Sequence, residues 1–139
     1  MKLYQYTFSL ILTLFLSSNI YAQQKTVEVL YEYDMKYTGS STGLSLNYQY
    51  VMDYLVESMN KNPDWKLHIR GHVCCGPDQK LSDKRAKNIY KYLLRQGIDP
   101  SRLSYKGYSD SIPLVFPEKT EEDAHQNRRV DFLITKPSK

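Results

Sequence analysis

Residues 65–97 read WKLHIRGHVCCGPDQKLSDKRAKNIYKYLLRQG, and two periodicities in this run decide the fold. Trp65, Leu67 and Ile69 alternate with Lys66, His68 and Arg70, the period of a strand with one apolar face. Further on, Ala86, Ile89, Tyr90, Leu93 and Leu94 recur at helical spacing. Ser82 is the expected N-cap of that helix and Gly97 its left-handed stop. A strand therefore feeds a helix across a short turn, and that turn holds the chain's two cysteines, Cys74 and Cys75.

The same reading extends both ways. Upstream, Val27, Val29, Tyr31 and Tyr33 alternate with mainly polar neighbours and predict one strand over 26–34. A flexible loop follows at 38–43, rich in Gly, Ser and Thr. Tyr48, Val51, Met52, Leu55, Val56 and Met59 then form a continuous helical stripe, which Pro63 brings to an end. Downstream, Asp99-Pro100-Ser101 makes a turn, and Leu103 to Lys106 a short strand. A loop with Pro113 and Pro117 passes the acidic cluster Glu121-Glu122-Asp123 before a closing strand over 130–134. The order is strand, helix, strand, helix, strand, loop, strand. Each helix has one apolar stripe and each strand one apolar face. The expected fold is α/β (α+β), a two-layer sandwich in which both helices cover one face of a single mixed sheet.

At 139 residues the chain suits one domain. Its first 22 residues have the layout of an export signal: Lys2, a short apolar run from Phe8 to Leu16, then Ala22 before the expected cut. The run is about half of the roughly 20 residues that span a bilayer, so a signal peptide over 1–22 and a single domain over 23–139 are expected. No integral membrane segment is expected after the cut. No cysteine follows the run to carry a lipid at the processing site. The formal charge of +4 is mild and interspersed, which argues against nucleic acid as a partner. Two cysteines cannot make a disulfide scaffold, but export means an oxidising compartment, where a thiol pair has reason to be oxidised.

Several segments now fall in order: Tyr31-Glu32-Tyr33-Asp34, Gly71-His72, Leu81-Ser82-Asp83-Lys84-Arg85-Ala86, Gly97 to Leu103, Lys106 to Pro113, and Asn127-Arg128-Arg129-Val130. Together they resemble the OmpA-like domain, found at the C-terminus of outer-membrane protein A and in related lipoproteins and motor stator proteins. The resemblance spans about residues 26 to 136. It implies a non-catalytic, periplasmic module with no cofactor, which holds the stem peptide of peptidoglycan, commonly at its diaminopimelate. Arg85 maps to the family's carboxylate-binding arginine. That role suits a guanidinium fork near a helix N-terminus. Ser82 shares the helix motif, and Asn127, Arg128 and Arg129 are implied to lie beside the same pocket. His72 is expected to orient the turn by hydrogen bonding.

Two stretches depart from the pattern. The family commonly reads Gly-His-Thr-Asp, and its aspartate faces the ligand ammonium. Here the run is Gly71-His72-Val73-Cys74, so Cys74 stands at the acidic position, and the loop to Arg85 is shorter by a few residues. Asp78, from that shortened loop, is the candidate to take the place of the missing aspartate. Near the end, Asp123-Ala124-His125 takes the place of a small and basic run. Three readings of Cys74 and Cys75 stay open: small packing residues, a vicinal disulfide, or a metal site shared with His72. The expected function is peptidoglycan binding at the interface of outer membrane and wall. The alternative is an envelope module that keeps the fold and binds a protein partner, such as an outer-membrane protein, with wall binding lost or altered. No nucleophile–base pair supports an enzyme.

Overall fold

The computed structural model describes residues 25–138. The expected signal peptide lies outside them. Eight elements follow in chain order: β1 (Thr26–Leu30), β2 (Met35–Lys36), α1 (Gln49–Lys61), β3 (Lys66–Gly71), α2 (Gln79–Arg95), β4 (Leu103–Gly107), α3 (Glu121–Asn127) and β5 (Arg129–Pro137). Among the described residues the strands form one mixed sheet in the order β1-β5-β3-β4, with β2 pairing further along β5. Strands β3 and β4 run parallel, whereas β5 is antiparallel to β1, β2 and β3. None of the described helices is long and apolar enough to cross a membrane.

The register explains the core. Leu67 lies across from Ile134, Ile69 from Phe132 and Gly71 from Val130, so these side chains share one face. Against that face pack Val51, Met52, Leu55 and Met59 of α1 with Ala86, Ile89 and Leu93 of α2, all buried in one cluster. Both long helices cover the same side of the sheet, as the two apolar stripes require.

Four boundaries differ from the sequence reading. The strand expected over 26–34 breaks after Leu30 and resumes at Met35. Val27, expected inward, is 40% exposed, because it lies at the outer end of an edge strand beyond the reach of the helices. The segment passing Glu121-Glu122-Asp123 is a helix and not a loop. Thr120 and Asp123 form a reciprocal capping box at its start, and the acidic first turn complements the helix dipole. The closing strand is also longer than 130–134 at both ends, spanning Arg129–Pro137. Finally, α2 begins before Ser82. Asp78 is its N-cap and accepts from the Leu81 amide at 2.9 Å, so Ser82 lies inside the helix, fully buried.

Two glycines fix how α2 meets the sheet. Gly71 and Gly107 are register partners on the parallel pair. A Cβ on Gly71 would sit 2.0 Å from the Ser82 carbonyl oxygen, and one on Gly107 would sit 2.4 Å from the Asp83 nitrogen. Helix backbone rests directly on strand backbone at this point, with no room for a methyl group. Gly71→Ala or Gly107→Ala should each destabilise the chain by about 3 kcal/mol or more in urea unfolding, since backbone has to move. Gly97→Ala, in the left-handed region at φ +86° with open space around it, should cost only about 1 kcal/mol.

Candidate functional site

At the C-terminal ends of β3 and β4, above the N-terminus of α2, a pocket of about 440 Å³ opens to solvent. Its charged lining is Arg85, Arg128 and Asp78, and Cys74, Cys75 and the Gly39–Ser40 backbone complete the walls.

Arg85 projects inward from the second turn of α2 and is fully buried. Its guanidinium donates to three backbone carbonyls: Nε to Ser41 at 3.0 Å, Nη1 to His72 at 2.8 Å and Nη2 to Gly39 at 2.6 Å. It also lies over the Tyr37 ring, 4.7 Å from the centroid. Asn88, one turn on, donates to the Thr42 carbonyl at 2.7 Å, so α2 stitches the 39–42 loop in place. Burial pushes the Arg85 pKa down and Arg128 lowers it further, while Tyr37 and Asp78 oppose the shift. Arg85 makes no ion pair with a carboxylate among the described residues. Three of its five N–H donors are used by carbonyls, and Arg85 is part of the pocket lining with its charge unmet by a carboxylate among the described residues.

Arg128 is the second buried guanidinium of the pocket. Nε donates to the Tyr37 carbonyl at 3.2 Å, Nη1 approaches Cys74 Sγ at 3.3 Å, and Nη2 pairs with Glu121 at the start of α3. Cys74 and Cys75 are joined as a vicinal disulfide. Cys75 adopts φ +63°, which is rare for a residue with a side chain, and its amide donates to Glu118 Oε2 at 3.0 Å. Asp78 is exposed at the pocket wall, with one carboxylate oxygen capping α2 and its own amide donating to Ser109 Oγ at 2.8 Å.

The remaining residues expected at the site are placed elsewhere. Ser82 Oγ donates to the Gln79 carbonyl and accepts from the Ser109 amide, so it is an internal strut between α2 and the chain after β4. Asn127 holds the proline-containing loop: Oδ1 accepts from the Leu114 and Val115 amides, and Nδ2 donates to the Val115 carbonyl and to Glu118. Arg129 turns to the opposite side of β5 from the core, where Arg129, Arg70 and His72 converge on the buried carboxylate of Asp131. The His72 ring stacks on Tyr108, with centroids 5.8 Å apart. A metal site combining His72 with both cysteines is therefore not formed. The group near both sulfurs is Glu118, and the three ligand atoms lie within 4.8 Å of one another. No sequence pattern marks the carbonyls of Gly39, Ser41 and His72 as partners of Arg85, because every residue carries that group.

Residues 37–128 match the OmpA family. The chain belongs to that family. Among its relatives, outer membrane porin F of Pseudomonas fluorescens is 33% identical over 107 residues, which are 74% of this chain and 32% of that protein. Outer membrane protein A of Bordetella avium is 39% identical over 57 residues, 41% of this chain and 29% of that protein. The chain thus spans about a third of the length of these relatives. Among solved structures, the peptidoglycan-associated lipoprotein of Burkholderia pseudomallei superposes with a TM-score of 0.67 at 18% identity, covering 73% of this chain and 88% of that one. The cell wall anchor of the type VI secretion system (T6SS) of Pseudomonas aeruginosa gives 0.63 at 21% identity, covering 90% and 95%. In this OmpA-family chain the pocket is walled by the run just after Gly71-His72, from Val73 to Asp78, and by Leu81 and Arg85 of the helix motif.

The network beneath the sheet gives the chain a pH dependence of its own. Burial lowers the His72 pKa, so the folded chain keeps the ring neutral, whereas the unfolded chain takes up a proton below about pH 6.5. The unfolded state then binds more protons, so stability is full above about pH 6.5 and falls as pH drops below it. Burial alone would raise the Asp131 carboxyl, but hydrogen bonds from His72 and Arg70, with the Arg129 charge, hold it well below the usual range. Its contribution is present above about pH 4 and is lost as pH falls further. Denaturant unfolding across pH 4–8 should show the first decline. His72→Gln should remove most of it and leave the lower, Asp131-dependent loss, with half-buried His68 supplying the small remaining slope.

Proposed function

We propose that the pocket binds the stem peptide of peptidoglycan without catalysis and holds the protein to the wall in the periplasm, to which residues 1–22 direct it. The observation that carries this reading is the Arg85 charge: buried, oriented by three carbonyls, and left without a carboxylate among the described residues. A buried cation in this state favours an incoming carboxylate, because a ligand can supply the missing countercharge. Arg128 adds a second donor, and Asp78, the one acidic residue of the lining, offers its second oxygen to a ligand ammonium. A carboxylate and an ammonium on one carbon, as in diaminopimelate, match that set. Two of the structural relatives, the peptidoglycan-associated lipoprotein and the cell wall anchor, bear names consistent with it.

A sacculus pelleting assay tests the reading. The wild-type chain should sediment with purified peptidoglycan. Asp78→Asn keeps an N-cap of equal quality, so its thermal melt should stay within about 0.5 kcal/mol of wild type while pelleting drops about tenfold. Arg85→Lys retains the charge but loses the fork and should pellet weakly, with a lower melting temperature from its unpaired carbonyls. Wild-type protein that stays in the supernatant would sink the proposal and favour the alternative of a protein-binding envelope module.

A further inference from the structure

The Cys74–Cys75 pair takes no part in the carboxylate chemistry above, yet it forms part of the wall of the same pocket. Cys75 is exposed and Cys74 half-buried, so a soluble reductant can reach the bond. The two sulfurs have opposite electrostatic surroundings. Cys74 Sγ lies 3.3 Å from the Arg128 guanidinium, whereas Cys75 lies beside the Glu118 carboxylate. A neighbouring guanidinium favours a thiolate and a neighbouring carboxylate opposes it. Once the bond is open, the two thiols are therefore not equivalent, and Cys74 is the one that carries charge.

The charge of the lining follows. In the disulfide form the ionic groups are Arg85, Arg128 and Asp78, and both sulfurs are neutral. In that lining Asp78 is the group that offers a ligand ammonium a negative charge. In the dithiol form a Cys74 thiolate joins Glu121 beside Arg128, and the lining gains one negative charge. It then suits a zwitterion, with the thiolate and Asp78 as two anions for an ammonium.

We propose that the oxidation state of Cys74–Cys75 tunes how strongly the pocket prefers a zwitterionic ligand end over a carboxylate-only one, with the preference rising on reduction. This deepens the stem-peptide reading and rests on it. The step is a thiol–disulfide exchange. A dithiol reductant supplies two electrons and two protons and closes to its own disulfide, the Cys74–Cys75 bond opens to two thiols, and Cys74 passes its proton to water.

Titration calorimetry with two probes tests it. One is a wall tetrapeptide whose diaminopimelate carries a free carboxylate and ammonium on one carbon, and the other is the same peptide acetylated on that amine. Each is titrated into the oxidised chain and into the chain in dithiothreitol. One unit charge in a partly solvated pocket is worth on the order of tenfold in affinity. Reduction should therefore shift the ratio of free to acetylated affinity by about tenfold toward the free peptide. Cys74→Ser with Cys75→Ser should lose all response to dithiothreitol, and Cys74→Asp with Cys75→Ser should hold the reduced ratio in either buffer. An unchanged ratio in the wild type, or a redox response that survives in the double serine variant, overturns the redox tuning alone. Failure of both peptides to bind in either state overturns the stem-peptide reading and the redox tuning with it.

Discussion

The contact of α2 backbone with strand backbone at Gly71 and Gly107 is the constraint from which the rest of the site follows. With side chains between them, helix and sheet would stand further apart, and a guanidinium on the second turn would sit further from the loop it serves. Removing both side chains lets α2 drop onto the parallel pair, with the Ser82 carbonyl over one strand and the Asp83 amide over the other. The approach is fastened by polar contacts of the same few residues. The Gly107 amide donates to Asp83 Oδ1 at 2.7 Å, and the Ser109 amide to Ser82 Oγ at 3.1 Å. Small residues here are a requirement of distance, and Arg85 depends on that distance for its reach to Gly39 and Ser41.

Reaching those carbonyls determines what kind of charge Arg85 is. A buried guanidinium paired with a carboxylate is electrically finished and has little to offer a ligand. One satisfied by carbonyl dipoles has its hydrogen bonds partly met and its charge unmet. The two ways of burying an arginine sit side by side in this chain. Arg129, with Arg70, has the Asp131 carboxylate and closes a network beneath the sheet, while Arg85 has carbonyl dipoles and the Tyr37 ring among the described residues and lines a pocket. The same residue type is a paired strut in one setting and a charge without a carboxylate at a pocket in the other, and the difference lies in the partner.

That distinction marks the limit of what the sequence makes legible. The stripes of α1 and α2 and the alternation of β3 report burial directly, since apolar side chains have one acceptable place to go. Hence the layered fold, and the grouping of Arg85, Cys74, Asp78 and Arg128 around one pocket, follow from pattern and family resemblance. The N-cap of α2 does not. Ser82 and Asp78 are both good caps, and the choice was made by Gly71 and Gly107, which draw Ser82 into the interior. Helix α3 is short and mostly polar, so it has no stripe to read. Its one local signal is the capping pair Thr120 and Asp123, which the neighbouring prolines and acidic run obscure.

Arg128 and Arg129 show why adjacent residues of one motif cannot share a role. The chain leaves α3 at Arg128 and enters the extended geometry of β5 at Arg129, and consecutive extended residues point to opposite faces. One arginine therefore reaches toward Cys74 and the pocket, and the other passes under the sheet to Asp131. Their energetic consequences separate accordingly. Loss of Arg129 leaves part of a buried carboxylate unpaired and acts on the fold, whereas loss of Arg128 removes a cation whose countercharge, Glu121, is largely in solvent. The motif thus joins a charge of the internal network to a charge of the pocket lining, held in a fixed relation by a single peptide unit.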